Sequence, residues 1–356
     1  MLVMGYLGAV IGAGFASGQE IVQFFVVYGE HGLWGAVLAT VLFAVSGAFL
    51  MYQAHKLKVT NYQHILARTM GSKAGKVLDM GLAIFLFLGI STMLSASGAV
   101  FYEHLYLSKT LGIMAAYILV VGLLLSGKKG LVVSYNILVP VKILLLLTIA
   151  AWAAFGPMPQ LQPGSLQTLA SPHPAYWGIS SLLYVAYNFS LAMVVLSEYQ
   201  SISLPSEAIR GAFGGGLILG VLVCISYQSL HRFLPTVLYY QVPMLYVAGR
   251  VSILAKHLYT CVLWVGILTT ALANAYGFAQ RFSSLTGMSY GLSLIVCMTM
   301  ALPLSLQSFA SLVGKIYPLF GLLGIVILGT LWLRTAKDLG QDLYYNIMKK
   351  LPVLRR

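Results

Sequence analysis

Charge is what this chain has least of. Asp, Glu, Lys and Arg together make up 8% of its 356 residues, and only eight residues are acidic. A surface so poor in charge cannot keep a chain of this size in water, and 59% hydrophobic residues with a mean hydropathy of +0.88 carry the same message. Cysteine is scarce as well: Cys224, Cys261 and Cys297 sit singly inside apolar runs without C-x-x-C spacing, which excludes a disulfide framework and a thiolate metal site. His257 and the other histidines show no ligand spacing. Gly-rich phosphate loops, nucleophile elbows and H-E-x-x-H motifs are missing, and no His, Asp or Glu set clusters, so neither hydrolysis of ATP or peptides nor an integral-membrane enzyme has support. A cleaved leader is not expected either, because the first apolar run lacks a basic flank; its short first half points to a start further upstream.

What the sequence does have is apolar runs. A membrane-spanning helix needs about 20 apolar residues, and roughly ten such runs with short connections are present, so the expected class is an all-α polytopic membrane protein rather than a barrel. The formal charge of +13 comes from basic residues scattered at helix ends, beside Lys56, Lys128, Arg281 and Arg334, where they set orientation instead of binding nucleic acid. On that asymmetry both termini are expected on the cytoplasmic side. The segment from Lys58 to Lys76 reads as a short surface helix, and Leu230 to Arg250 as a lid helix on the outer face. Residues 157–174 carry five prolines and no Asp, Glu, Lys or Arg, and read as a linker near mid-chain. One transmembrane domain over 1–336 follows, with a first repeat at 1–156 and a second at 175–336. Residues 337–356 form a basic amphipathic tail ending in Lys349, Lys350, Arg355 and Arg356. Five spans on each side of the linker put the two halves in opposite orientation, a 5+5 inverted repeat.

The first run contains its own interruption. Gly12, Gly14 and Gly18 crowd into Gly12-Ala13-Gly14-Phe15-Ala16-Ser17-Gly18-Gln19-Glu20, and each costs about 1 kcal/mol against alanine in a helix interior. Non-helical backbone at membrane depth is tolerated only where it is buried in protein or lines a cavity, since lipid offers its amides and carbonyls no partner. Ser17 and Glu20 fit the S-x-x-E capping box that would start a fresh half-helix. A second interruption is expected at Tyr184-Val185-Ala186-Tyr187-Asn188-Phe189-Ser190, where polar groups enter the sixth run. A discontinuous helix at the head of each half is the geometry with which many secondary transporters bind a solute.

Gly8-Ala-Val-Ile-Gly12-Ala-Gly14-Phe-Ala-Ser-Gly18-Gln-Glu20, together with Tyr184-Val-Ala-Tyr-Asn188, resembles the YkvI-type family of bacterial membrane proteins over nearly the whole chain. That family is similar in turn to the amino acid, polyamine and organocation transporter superfamily, which implies a LeuT-type fold and alternating access and leaves the solute open.

Candidate site residues follow. Gly12, Ala13, Gly14, Ser17 and Glu20 on the first span, with Tyr184, Tyr187, Asn188 and Ser190 on the sixth, form the expected solute site. Glu20 either caps the half-helix or touches the solute; as a first-turn carboxylate it offsets the positive helix end, which suits an amine, zwitterion or cation better than a bare anion. Asn188 and Ser190 either cap the second half of the sixth span or contact the solute, and Asn274 reads as an interhelical hydrogen bond. Lys142, two residues after Pro140 and deep in the fifth span, is expensive there unless paired. It is either an internal ion pair, a snorkelling side chain, or a proton carrier, the last being the role of a fifth-span lysine in similar proton-coupled transporters. Thr269 and Thr270 resemble the hydroxyl pair that coordinates sodium in LeuT-type symporters, an arrangement to which the resemblance adds the carbonyls of Gly266 and of Ala9 or Gly12. A sodium ion is therefore the candidate cofactor, in competition with the Lys142 proton, and a hydroxyl pair bonded back to its own helix is the bland alternative. The function expected is secondary active transport of a small amino-acid-like or organic-cation solute; a non-transporting receptor of the same fold, like germination-receptor subunits, is the alternative. The expected partners are the solute and the lipid bilayer.

Overall fold

Apolar runs in lipid satisfy their backbone most simply as helices. A computed structural model describes residues 2–126, 129–157 and 173–350, and among the described residues every regular element is helical. Lys128, most of the proline-rich linker, and Arg355 and Arg356 of the tail lie outside the described residues.

The first apolar run is divided into α1 (Leu2–Val10), α2 (Ala13–Ser17) and α3 (Gln19–Phe24), followed by a 3-10 turn at Val26–Tyr28. α4 (His31–Leu57) returns, and a short helix α5 (Tyr62–Met70) leads into α6 (Ser72–His104). The Asn61 side chain accepts from the Gln63 N–H at 2.8 Å, which caps α5 and makes the expected surface helix. α7 (Lys109–Ser126) and α8 (Lys129–Phe155) complete the first half of the chain. Beyond the linker come α9 (Trp177–Glu198), α10 (Pro205–His231), α11 (Pro243–Val251), α12 (Ile253–Thr286), α13 (Tyr290–Ser305) and α14 (Phe309–Lys350). Seven of these helices are long and apolar enough to cross a membrane: α4, α6, α7, α9, α10, α12 and α14. Their outer faces carry exposed Val41, Ile118, Val221 and Leu322, an apolar exterior that water would not tolerate and lipid would.

The expected break in the sixth run does not occur. α9 passes through Tyr184 to Ser190 as continuous helix. The Asn188 amide donates to the Tyr184 carbonyl at 3.1 Å and the Ser190 hydroxyl to the Ala186 carbonyl at 2.8 Å, so both polar side chains are satisfied one turn back on their own helix. Nothing in this stretch forces the backbone to leave the helix.

Small residues set the closest contacts. A Cβ on Gly324 would strike the Ala186 carbonyl and one on Gly321 would come to 2.8 Å from the Leu183 carbonyl, so α14 lies backbone to backbone against α9. Gly216 and Gly220 bring α10 equally near to Ala44 and Thr40 of α4. At the end where α1 starts, polar ties fasten the bundle: Lys56 to Asp342 at 3.0 Å, Gln53 to Asp338 at 2.8 Å, and Arg281 to Asp79 at 3.1 Å. The Tyr62 hydroxyl donates to Asp79 at 2.7 Å; burial first, and the carboxylate beside it second, raise that phenol above its ordinary pKa. α14 continues from the bundle past residue 336 without interruption.

Candidate functional site

The site begins where α1 ends. Ile11 N–H still reaches the Leu7 carbonyl at 2.8 Å, but Gly12 N–H turns to Val10 at 2.8 Å and its ψ swings to −174°, which stops the helix. The carbonyls of the last turn are thereby left without helical partners and carry the negative pole of α1. One turn on, Gly18 adopts φ +81°, a left-handed conformation that favours glycine, and separates α2 from α3. Two breaks therefore flank α2.

The expected capping box is not formed. Ser17 donates to the Gly14 carbonyl at 2.6 Å and accepts from Gln19 N–H at 3.1 Å, while the residue preceding α3 is Gly18, with no side-chain cap. Glu20 is thus freed from the helix end. It folds back over Gly14, where an added Cβ would collide with its Oε1, and takes a short hydrogen bond from the Tyr187 hydroxyl. Glu20 is 4% exposed, so Gly14 is glycine because a carboxylate occupies the place of its side chain.

Lys142 meets the other side of the break. Its ammonium, 5% exposed, donates to the Ile11 carbonyl at the open end of α1. A cation on a helix C-terminal pole is favourable, and here it offsets part of the cost of an ammonium at depth. Thr269 and Thr270 stand near it on α12, and both hydroxyls donate to the Gly266 carbonyl at 2.9 Å. The pair bonds back to its own helix, and Gly266 faces the Lys142 stem, 3.4 Å from where a Cβ would sit.

These groups surround one cavity of about 640 Å³. Gly12, Ala13, Gly14, Glu20, Lys142, Tyr187, Asn188, Thr269 and Thr270 line it, so residues far apart in sequence are brought to one place. Ser17, Tyr184, Ser190 and Gly266 do not line it. Ser17 is spent on the turn, Gly266 offers its carbonyl to the threonines, and Ser190 faces a small void beside Leu78 and Phe320. Tyr184 knits α9 to the end of α3, its ring 4.9 Å from Phe25 and 5.9 Å from Phe43. The cavity runs from the break along α1 to Met4 and Gly5, where the Tyr199 ring lies over Gly5.

Phe85, Met93 and Tyr317 are among the other residues of the wall and were not singled out by the sequence. An aromatic residue in an apolar run carries no mark of which way it faces. Asn274 also belongs to the wall: its amide sits against Gly89 and makes no hydrogen bond among the described residues, in place of the interhelical bond expected. Among the described residues, no group of three or more His, Cys, Asp or Glu gathers in a way that could hold a metal ion.

No family model matches the chain. Two proteins of Bacillus subtilis (strain 168) are similar to it over almost their full length. One is described as the uncharacterized membrane protein YkvI, 29% identical over 338 residues, covering 94% of this chain and 95% of that one. The chain is a membrane protein. The other relative, described as the uncharacterized protein YyaD, is 27% identical over 332 residues, 90% of this chain and 92% of its own. Among solved structures, two mutants of the Eremococcus coleocola manganese transporter match 93% of this chain and 84% of theirs, at 15% identity and a TM-score of 0.45.

Proposed function

We propose that this chain is a secondary transporter that carries a small amino-acid-like or organic-cation solute by alternating access, coupled to a proton through Lys142. The observation that carries the reading is the joining of two buried ionisable side chains, the carboxyl of Glu20 and the amine of Lys142, to one cavity at a broken helix. A purely structural pair would be expected to neutralise itself by direct contact. These two are held by separate partners, and the cavity reaches both. A solute ammonium would find the Glu20 carboxylate beside the rings of Tyr187 and Tyr317. The ammonium of Lys142 takes the place at the end of α1 that a sodium ion would need beside Thr269 and Thr270, which favours the proton over sodium.

In this reading α1–α3, α4, α6, α7 and α8 form one five-span half and α9, α10, α12, α13 and α14 the other, inverted about the linker. The end at which α1 starts is the cytoplasmic face, since Lys56, Arg281 and Arg334 gather there.

Uptake by the purified protein in liposomes tests it. A panel of radiolabelled amino acids and amines should accumulate under an inward proton gradient, and Lys142→Met should abolish that accumulation while leaving some binding. Binding without accumulation would support the receptor reading instead, and sodium-driven uptake that survives Lys142→Met would establish the sodium version.

A further inference from the structure

The end of the molecule opposite the start of α1 is closed by residues 232–251, a 3-10 turn at Thr236–Tyr239 followed by α11. This segment rests directly on the broken helix. The Met244 main-chain N and Cβ both lie 3.2 Å from where a Cβ on Gly18 would sit, so α11 covers the left-handed turn between α2 and α3. Gln19, with its amide turned to satisfy both ends, donates to the Tyr240 and Gln241 carbonyls at 3.2 Å and accepts from Gln23 at 3.0 Å.

What holds the segment down comes from two further elements. Glu103, in the last turn of α6, accepts from the Gln241 N–H at 2.9 and 3.1 Å and from the Val242 N–H at 3.2 Å, gripping the chain just ahead of α11. The Gln241 side chain in turn accepts from Phe309 N–H, the first residue of α14, at 2.7 Å. Glu103 thus bonds main-chain amides that only this placement of the segment presents, and its side chain is 11% exposed, at the margin where water can replace those amides.

We propose that Glu103 is the latch of this lid: its carboxylate holds residues 232–251 over the α2–α3 turn, and its release is the step that opens the site toward this end. The reasoning is mechanical. Any displacement of α2–α3 that exposes the cavity here must lift α11 off Gly18, and lifting α11 withdraws the Gln241 and Val242 amides from Glu103. Gln241 is the second catch, because it ties the same joint to α14. The inference rests on the alternating-access reading above.

The test is thiol accessibility in the full-length protein with Cys224, Cys261 and Cys297 replaced by serine. Met244→Cys reports on the lid and Leu191→Cys, on the cavity wall, reports on access to the cavity away from the lid. Glu103→Ala should raise maleimide labelling at position 244 about 10-fold, the change that a shift of about 1.4 kcal/mol produces, and lower it at position 191. Glu103→Gln, which keeps one carbonyl acceptor, should fall between. Gln241→Ala should act in the same direction with smaller size, and it carries the test if Glu103→Ala does not fold. Labelling that rises at both positions would mean simple loosening and would overturn the latch, as would unchanged labelling at 244. A rise at 244 with no change at 191 would uphold the latch and overturn alternating access.

Discussion

Residues 12–20 and 184–190 look alike on paper, two polar interruptions of apolar helices, yet the first breaks twice and the second not at all. The difference lies in what kind of residue does the interrupting. Hydroxyl and amide side chains on α9 return to carbonyls four residues back, which leaves the helix intact. Glycines on the first span remove the side chain that holds the backbone to one well, and Gly18 at φ +81° takes a conformation that costs other residues about 1–2 kcal/mol. Polarity decorates a membrane helix, while glycine at a left-handed position divides it.

The comparison can be pressed hardest at Gly14. Gly14→Ala should drive the Glu20 carboxylate off its seat and away from Tyr187; a hydrogen bond to a charged group is worth about 1.5–3 kcal/mol, so ligand affinity should fall about 10- to 100-fold. Calorimetric titration of the purified protein with whichever solute the uptake panel identifies measures this, and unchanged affinity would separate Glu20 from the site. Gly18→Ala comes next, with an expected destabilisation of about 1–2 kcal/mol from the left-handed backbone alone, read as a lowered midpoint in thermal unfolding. Least should happen at Ser190→Ala on α9, which removes a hydroxyl whose acceptor is already bonded within the helix: under about 1 kcal/mol and no loss of uptake. A large effect there would mean that α9 opens during the cycle after all.

Much of this was legible. Apolar runs of the right length gave the helices, the polar segment from Lys58 to Lys76 gave the surface helix α5, and the glycine-rich motif gave the broken first span, while the Asn61 cap that starts α5 was not read. Glu20 and Lys142 stood out because charge at that depth has to be explained, and both reach the cavity. Ser17 misled, since S-x-x-E describes a capping box equally well when the serine in fact bonds backward to Gly14 and glycine precedes the next helix. Tyr184 and Tyr187 could not be told apart by pattern: three residues separate them on one helix, yet one ring packs against Phe25 and the other faces the cavity. Tyr317 and Phe85 were invisible for the same reason, because orientation within an all-apolar helix is decided by neighbours that the local sequence does not name.

The glycine contacts between α14 and α9 have one more consequence. With main chain meeting main chain at Gly321 and Gly324, no cushion of long side chains remains to let one helix slip against the other, and the two behave as a single girder. In the transport reading proposed above, such a wall would stay fixed, and movement would fall to the first span, where α2 hangs between two breaks.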